Sequence, residues 1–243
     1  MASTSEVGHA KNVANFQNLI EFITGYAADY NPSKNSLKLP QLVVLKAIAE
    51  TKLADLIAKN TAYNNKVNER MIAFGDLKSL STRLINALQT TDASKETIED
   101  AKGFNRKMQG KKASATQTPA DPNLPAPKTI STSQQSYDQL IQHFSNIIAV
   151  LEAEPSYTPN ETELQIVALT TKIADLNTKN TAVATAYTNL SNARIDRNET
   201  LYTNTTGIYQ TAGEVKKYIK SVFGASSPQY DQVSGIKFNK PRI

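Results

Sequence analysis

The sequence predicts an all-α protein, an elongated antiparallel helical bundle made of two tandem-duplicated helical units, with long heptad-patterned helices and an extended C-terminal tail. Three observations predict this fold class. Hydrophobic residues make up 40% of the 243 residues, aromatic residues only 7%, and Trp is absent, which is typical of narrow amphipathic helices. One eleven-residue segment occurs twice. Apolar residues also recur at alternating intervals of three and four, which is the helical spacing.

The duplication rests on two matched segments. KLADLIAKNTA at 52–62 returns as KIADLNTKNTA at 172–182, and FQNLIEFI from Phe16 aligns with YDQLIQHF from Tyr137. The two offsets, 120 and 121 residues, are nearly equal. Each copy therefore consists of a short helix, a Pro-containing turn and a long helical run. The predicted domains are repeat unit 1 at 1–109, a Pro/Ser/Thr-rich linker at 110–135, repeat unit 2 at 136–224 and the tail at 225–243.

The elements follow in order. Short amphipathic helices are expected at 13–28 and 137–151, and a further helix at 94–107 has Asp92 and Ser94 as candidate caps. The long run of the first copy contains no Pro from Gln41 to Arg106, so no proline forces a break; we expect the run to bend or turn once, with Gly75 and 90–92 as the candidate places. Its heptad positions place Asn60 on the packing seam, with Asn180 as the repeat counterpart. Both are predicted register or interface residues; the alternative is that an Asn-rich helix carries Asn everywhere.

The last segment differs from the helices before it. After a helix ending near Lys220, the stretch from Gly224 to Pro228 stops being helical, and the following tail contains Tyr230, Val233, Ile236 and Phe238. Apolar residues on a tail have to be covered. They either fold back on the chain's own helices or dock in a groove of the next copy, which would permit head-to-tail assembly.

The segment KKYIKSVFGASSPQYDQVSGIKF, at 216–238, resembles the closing segment of all-helical proteins of Bacteroidota. Those proteins are similar in length and have no assigned activity. The resemblance implies a bacterial, helical protein and transfers no functional residue.

The formal net charge is +5, from 27 basic and 22 acidic residues. This mild excess is unlike the dense basic stripe of a dedicated nucleic-acid binder. One basic patch has no acid between its members: Lys102, Arg106, Lys107, Lys111 and Lys112. It suits phosphate, an anionic membrane surface or an acidic neighbour, but a solvated helix C-terminus is the favoured interpretation.

Candidate catalytic residues are nearly absent. The chain has no Cys, and neither of its two histidines, His9 and His143, has a second histidine or a carboxylate at a site-forming spacing. His143 is expected on a helix surface. No Gly-rich phosphate loop or serine-nucleophile motif occurs. We therefore predict no enzyme, no catalytic, cofactor-binding or metal site, no cofactor and no small-molecule substrate.

The sequence favours a structural or scaffolding protein that self-assembles, as a filament or lattice, through helical faces and terminal segments. Its expected partner is a second copy of the chain, in a homo-oligomer or polymer. A membrane-active amphipathic helical protein is the first alternative, and a weak nucleic-acid-associated protein is the second. Since no signal peptide or transmembrane segment is recognisable, cytoplasmic residence is the default expectation, with leaderless export left open.

Overall fold

A computed structural model describes residues 7–110 and 134–241. Within these residues the chain forms α-helices joined by turns and contains no strand, so the predicted all-α class is confirmed. The helices are α1 (Val7–Gly25), α2 (Leu39–Ala73), α3 (Leu77–Leu88), α4 (Lys95–Gln109), α5 (Tyr137–Ala153), α6 (Ile166–Tyr202), α7 (Ile208–Phe223) and α8 (Pro228–Ser234). Three short 3₁₀ turns lie at Ala27–Asp29, Asn35–Leu37 and Thr162–Leu164.

Contacts divide the chain into two compact units. Unit 1 comprises Met1–Tyr63 and Ala186–Ile243, and unit 2 comprises Asn64–Thr185. Each unit therefore draws on both predicted sequence repeats, and α2 and α6 each contribute residues to both units. The division by sequence repeat, and the arrangement of the repeats as one elongated bundle, stay predictions. Of the predicted linker, residues 111–133 lie outside the described part of the chain.

The core of unit 1 forms where α1 packs against α7. Apolar residues of α1 recur every three or four positions, so one face of the helix is apolar and is buried away from solvent. Phe16 and Leu19 are fully buried there. The partner face of α7 has the same spacing, and its buried side chains are Ile208, Thr211, Ala212, Val215 and Ile219.

The core of unit 2 lies among α3, α4, α5 and the first part of α6. Helix α5 is the main contributor, and Ser136 caps it by accepting a hydrogen bond from the backbone N–H of Gln139 at 3.3 Å. Phe144 is fully buried at its centre, and burial of a side chain of this size contributes about 1.5–3 kcal/mol. The buried residues of α5 are Leu140, Ile141, His143, Phe144, Ile147, Ile148 and Leu151.

The first long helical run is interrupted at both candidate places, although the sequence predicts a single bend or turn. Helix α2 ends at Ala73, and Gly75 lies in the turn before α3; α3 ends at Leu88, before the turn at 89–94. Ser94 then starts α4 by accepting the backbone N–H of Thr97 at 3.1 Å, so of the two candidate caps the structure has Ser94 and not Asp92. In contrast, α6 runs for 37 residues without a break.

A tyrosine closes the corner before each long helix. The Tyr30 hydroxyl donates to the backbone oxygen of Leu37 at 2.7 Å, and the Tyr157 hydroxyl donates to that of Leu164 at 2.9 Å. Both side chains are buried. Burial raises the pKa of Tyr30 well above its usual range, and burial followed by the charge of Glu161 raises the pKa of Tyr157 to about 12. Both corners therefore require a protonated phenol.

The prediction of an extended tail at 225–243 is wrong for its first part. Residues 228–234 form α8, because Ser227 accepts the backbone N–H of Tyr230 at 3.1 Å and Pro228 occupies the first helical turn, where its missing N–H has no cost. Ser-Pro acts here as a helix start. Residues 236–241 have no regular secondary structure, and residues 242–243 lie outside the described chain.

Candidate functional site

A line of small, uncharged and exposed side chains follows α2 in unit 1. Its members are spaced by three or four residues, so they lie on one face of the helix over about 26 Å. We call this line ladder 1: Val44, Ala47, Thr51, Ala54, Ala58 and Thr61. Val44 is 52% exposed, and every other member is also exposed.

Unit 2 has a matching line on α6, with the same spacing and a length of about 27 Å. We call it ladder 2: Val167, Thr171, Ala174, Thr178, Thr181 and Thr185. All six are exposed, and Val167 is the most exposed large hydrophobic side chain of the described residues, at 79%. Thr51 and Ala54 of ladder 1 are found again as Thr171 and Ala174 of ladder 2, 120 positions later.

Threonine hydroxyls in both ladders bond to their own helix. Thr51 donates to the backbone oxygen of Ala47 at 2.9 Å, Thr171 to that of Val167 at 2.9 Å, and Thr178 to that of Ala174 at 2.8 Å. The hydroxyl proton of each is satisfied inside the helix. The outward surface of the ladders is therefore less polar than the residue names indicate.

Charged residues flank ladder 1. Lys46 pairs with Glu50 at 3.3 Å and Asp55 with Lys59 at 3.9 Å, each one helical turn apart on α2. Such exposed pairs add little stability. Their positions matter more, since they leave the ladder itself free of charge. A second helix that carries small side chains could approach such a face closely, because the separation of helix axes depends on side-chain size.

The predicted interface residues of the tail pack inside unit 1. Val233 is fully buried, and Tyr230, Ile236 and Phe238 are half-buried against the same core. Of the two arrangements that the sequence left open, the structure has the tail folded back on the chain's own helices. Docking of these four residues on the next copy is therefore not the arrangement described.

Side chains of α1 and α7 hold this tail by its main chain. Asn12 is buried and pairs with both backbone groups of Asn239: its Nδ2 donates to the carbonyl oxygen at 2.7 Å, and its Oδ1 accepts the N–H at 3.0 Å. Asn15 Nδ2 donates to the carbonyl oxygen of Lys237 at 2.7 Å. Lys216 Nζ donates to the carbonyl oxygens of Ser234, at 3.2 Å, and Ile236. These residues and the tail at 235–241 form the C-terminal clasp.

His9 and Tyr202 complete the clasp from behind. His9 Nδ1 lies 2.7 Å from the Tyr202 hydroxyl, and that hydroxyl also accepts a hydrogen bond from Asn12 Nδ2 at 3.1 Å. All three side chains are buried. The network fixes the Asn12 amide in the orientation that meets Asn239, because an amide must present its oxygen to the N–H and its nitrogen to the carbonyl.

The two seam asparagines differ from each other. Asn60 is exposed, so it does not lie in a buried packing seam; the buried residues of α2 are Leu42, Ala49 and Leu56. Asn180 is half-buried, accepts from Arg70 Nη1 at 2.8 Å and donates to Asp138 Oδ1 at 2.6 Å. A register role for either residue between copies stays a prediction.

The basic patch is partly neutralised. Although no acid lies between its members in sequence, Glu99 one turn earlier reaches Lys102 at 3.0 Å and Arg106 at 3.7 Å. These cations lower the pKa of the Glu99 carboxyl, chiefly through the hydrogen bond from Lys102. Lys107 lies 5.6 Å from the centre of the Phe104 ring. Lys111 and Lys112 fall outside the described residues.

The surface prediction for His143 is wrong, since the ring is buried in unit 2 and only 5% exposed. The apolar face of α5 extends over position 143 because Leu140 and Ile147 lie on the same face. Neither ring nitrogen has a hydrogen-bond partner among the described residues. Burial, followed by the charge of Lys107, lowers the pKa of His143, so the neutral form is favoured.

Over residues 7–110 and 134–241, there is no group of three or more His, Cys, Asp or Glu side chains placed to hold a metal ion. An open groove of about 390 Å³ in unit 2, between α4 and α5, is lined by Asp100, Phe104 and Glu154 among others, and by no histidine. None of the described helices is both long enough and apolar enough to span a bilayer.

The sequence reasoning missed both ladders, although the signal was in the repeated segments. Within 52–62 and 172–182, the seam residues and the Ala and Thr residues both follow the three-four spacing, on opposite faces. It also missed Asn12 and Asn15, because a polar residue at a helix position shows no sign of its distant partner.

Comparisons add no family: no protein-family model, no curated protein and no solved structure matches this chain.

Proposed function

We propose that this chain is a non-enzymatic structural protein that self-assembles into a filament or lattice through its exposed helical faces and terminal segments. The observation that carries the proposal is the pair of ladders, one in each unit, each with six small, exposed and uncharged side chains at helical spacing. The occupant of a ladder is a ladder of a second copy. Because ladders 1 and 2 share residue types and spacing, each provides a face that fits the other.

The ladders suit weak, repeated contacts. A stable interface buries on the order of 1,600 Å² in total, and one pair of six-residue ladders of Ala, Thr and Val falls short of this area. One such contact is therefore expected to be transient. Two ladders per chain make the contact multivalent, and linked weak contacts hold much more strongly than single ones. A chain with two such faces adds copies without closing on itself if the two contacts are heterologous.

The predicted duplication supports the same function. A repeated helical unit with a heptad seam on one face and a small-residue ladder on the opposite face generates two copies of one binding face in a single chain. Large exposed apolar patches are typical of protein–protein interaction sites, whereas single exposed apolar residues are ordinary on a monomer. The large exposed examples beside the ladders include Val43, Ile48 and Ile57 in unit 1.

Matched charge variants test the proposal. Ala54→Lys with Ala174→Lys places one cation in the middle of each ladder, whereas Ala14→Lys with Asn86→Lys adds the same charge at exposed positions on α1 and α3. We expect the wild-type chain to form large particles in light scattering and in negative-stain images. The ladder variant should need about tenfold higher concentration to do so, since burial of an ammonium at an interface costs at least about 1.4 kcal/mol.

The control variant should assemble within about twofold of the wild type, because solvated lysines away from the contact cost little. Circular dichroism checks that all variants keep their helix content. Equal assembly of the ladder and control variants would contradict the role of the ladders. A wild-type chain that stays a monodisperse monomer across salt and protein concentration would contradict self-assembly itself.

A further inference from the structure

The C-terminal clasp recognises its occupant as a peptide. Five hydrogen bonds join Asn12, Asn15 and Lys216 to main-chain groups of residues 234–239. In four of them the side chain donates to a carbonyl oxygen, and in the fifth the Asn239 N–H donates to Asn12 Oδ1. Main-chain contacts of this kind fix an extended segment in place, and apolar pockets beside them supply selectivity.

Two apolar side chains of the tail supply that selectivity. Phe238 meets Phe16 edge to face, with ring centres 6.5 Å apart, and Lys216 Nζ lies 5.5 Å from its ring centre. Ile236 packs against the same core of unit 1. The groove between α1 and α7 is therefore built for this one sequence: two apolar anchors separated by one residue, on an extended backbone.

The connection to the tail has the features of a hinge. Gly224 ends α7 with φ +92° and ψ 160°, a conformation that side chains with a Cβ rarely adopt. No atom lies within 4 Å of the place where a Cβ would stand, so the backbone there is unencumbered. A rotation at Gly224 would carry α8 and the tail away together, so Val233 and Tyr230 of α8 would leave the core of unit 1 with the tail and would be part of the exchanged segment.

We propose that the groove between α1 and α7 also accepts the C-terminal tail of a second copy, so that exchanged tails connect neighbouring chains. This inference rests on the proposed self-assembly and names its terminal contact. A second copy has the identical tail, so every hydrogen bond and both anchors form equally well within one chain and between two. Tails that pass from each chain to the next form an open, head-to-tail series.

Concentration decides between the two arrangements. In dilute solution the chain's own tail occupies the groove, because tethering gives it an effective concentration in the millimolar range. When ladder contacts hold copies side by side, a neighbour's tail reaches a comparable local concentration. Exchange then costs little, because the same contacts are broken and formed.

Crosslinking between introduced thiols tests the exchange, since the natural chain has no Cys. Asn15→Cys and Lys237→Cys are placed in separate full-length chains, one of them with a size tag, and mixed under assembly conditions with a short bis-maleimide. Asn15 and Lys237 lie in contact across the clasp, as their 2.7 Å hydrogen bond shows. Asn86→Cys mixed with Lys237→Cys is the control for collisions, because Asn86 is exposed on α3 in unit 2.

We expect about tenfold more mixed-chain product from the clasp pair than from the control pair. The double variant with both thiols in one chain should close within the chain at low concentration and give a series of multimers at high concentration. If mixed-chain product does not exceed the control while particles still form, the exchange is wrong and self-assembly stands. If no particles form, the proposed function is wrong as well. Failure of the double variant to close at any concentration would contradict the clasp contact itself.

Discussion

The two long helices α2 and α6 have the same exposed face and different buried faces. Each follows a corner closed by a tyrosine, each carries a ladder of small side chains, and each contains one copy of the repeated eleven-residue segment. Their aligned buried leucines differ in surroundings. Leu56 belongs to a small cluster with Leu190 and Ala193, whereas Leu176 belongs to the large core of unit 2.

The repeated segment therefore fits two different packing environments: its buried leucine is kept, while two of its three differing positions, Ile57/Asn177 and Ala58/Thr178, are exposed in both helices. Identical Leu residues fill unlike packing environments, yet the exposed Thr and Ala positions keep their exposure in both helices. An exposed position that stays small and uncharged without a packing reason has another use, and contact with further copies is the use that we propose. Paired substitutions at corresponding positions test this comparison.

The largest effect is expected from truncation of the aligned leucines. Leu176→Ala should lower the free energy of unfolding by about 3–5 kcal/mol, because a large core cannot collapse around the cavity. Leu56→Ala should lower it by about 2–3 kcal/mol, because its small cluster has fewer atoms to lose. Urea unfolding followed by circular dichroism measures both. Equal losses would indicate equivalent environments and remove the difference between the two helices.

The next effect concerns the glycines that follow the long helices. A Cβ on Gly207 would lie 2.6 Å from the backbone nitrogen of Thr203 and 2.7 Å from its oxygen, and main-chain atoms cannot swing away. Gly207→Ala should therefore cost about 2–3 kcal/mol. A Cβ on Gly75 would lie 3.2 Å from the backbone oxygen of Ile72, so Gly75→Ala should stay within about 1 kcal/mol. Thermal unfolding measures both losses, and a larger loss of stability in Gly75→Ala than in Gly207→Ala would contradict the prediction.

The tyrosine corners should respond alike. Tyr30→Phe and Tyr157→Phe each remove the only hydroxyl partner that the structure gives to the backbone oxygens of Leu37 and Leu164, so each should cost about 1–2 kcal/mol. Denaturant midpoints compare the two directly. A cost at one corner and none at the other would show that the corners do not play the same role.

The same corners predict a loss of stability at high pH. Both folded-state pKa values are raised above the ordinary value of 10.0, that of Tyr157 to about 12, so the folded state keeps protons that the unfolded state releases. The stability that these two tyrosines contribute is fully present below about pH 10, and it is lost as the pH rises from there through their folded-state pKa values. The loss should be smaller in Tyr157→Phe, and ultraviolet titration of phenolate should show tyrosines that ionise only above pH 10.

The smallest expected effect separates the two histidines. The pKa of His143 is lowered in the folded state, so the unfolded chain takes up a proton first and stability falls as pH drops below about 6.5. His143→Leu should remove part of that loss between pH 7 and pH 5 in urea unfolding. His9→Leu, at the hydrogen-bonded histidine of the clasp, should instead destabilise the chain at pH 7. A steeper acid loss in His143→Leu would contradict the neutral buried ring.

Much of the fold follows from local patterns, and the contacts between distant segments do not. Apolar spacing predicts α1 and α5, and Gly75 and Ser94 locate a break and a cap, because these signals act within one turn of helix. Ser227-Pro228 lies in the stretch for which the sequence predicts an end of helical structure, although the same pair starts α8. The covering of Ile236 and Phe238 depends on a groove between α7 and α1, and α1 lies about 220 positions away in the chain. The apolar character of the two residues predicts only that they need to be covered.

The ladders show the other limit of sequence reasoning. A single Ala or Thr at an exposed helix position is common. The ladder is recognised only when all six positions in each helix are seen to be exposed on the same face. Burial of Asn12 and His143 was likewise unforeseen, since polar residue types predict the surface. Both are paired with, or enclosed by, segments that the local sequence does not reveal.

Sedimentation equilibrium of the full-length wild-type chain measures self-assembly directly. Open assembly through two faces predicts a weight-average mass that exceeds the 26.6 kDa of one chain and rises continuously with protein concentration. A constant 26.6 kDa over the whole concentration range, at low and high salt, would contradict it.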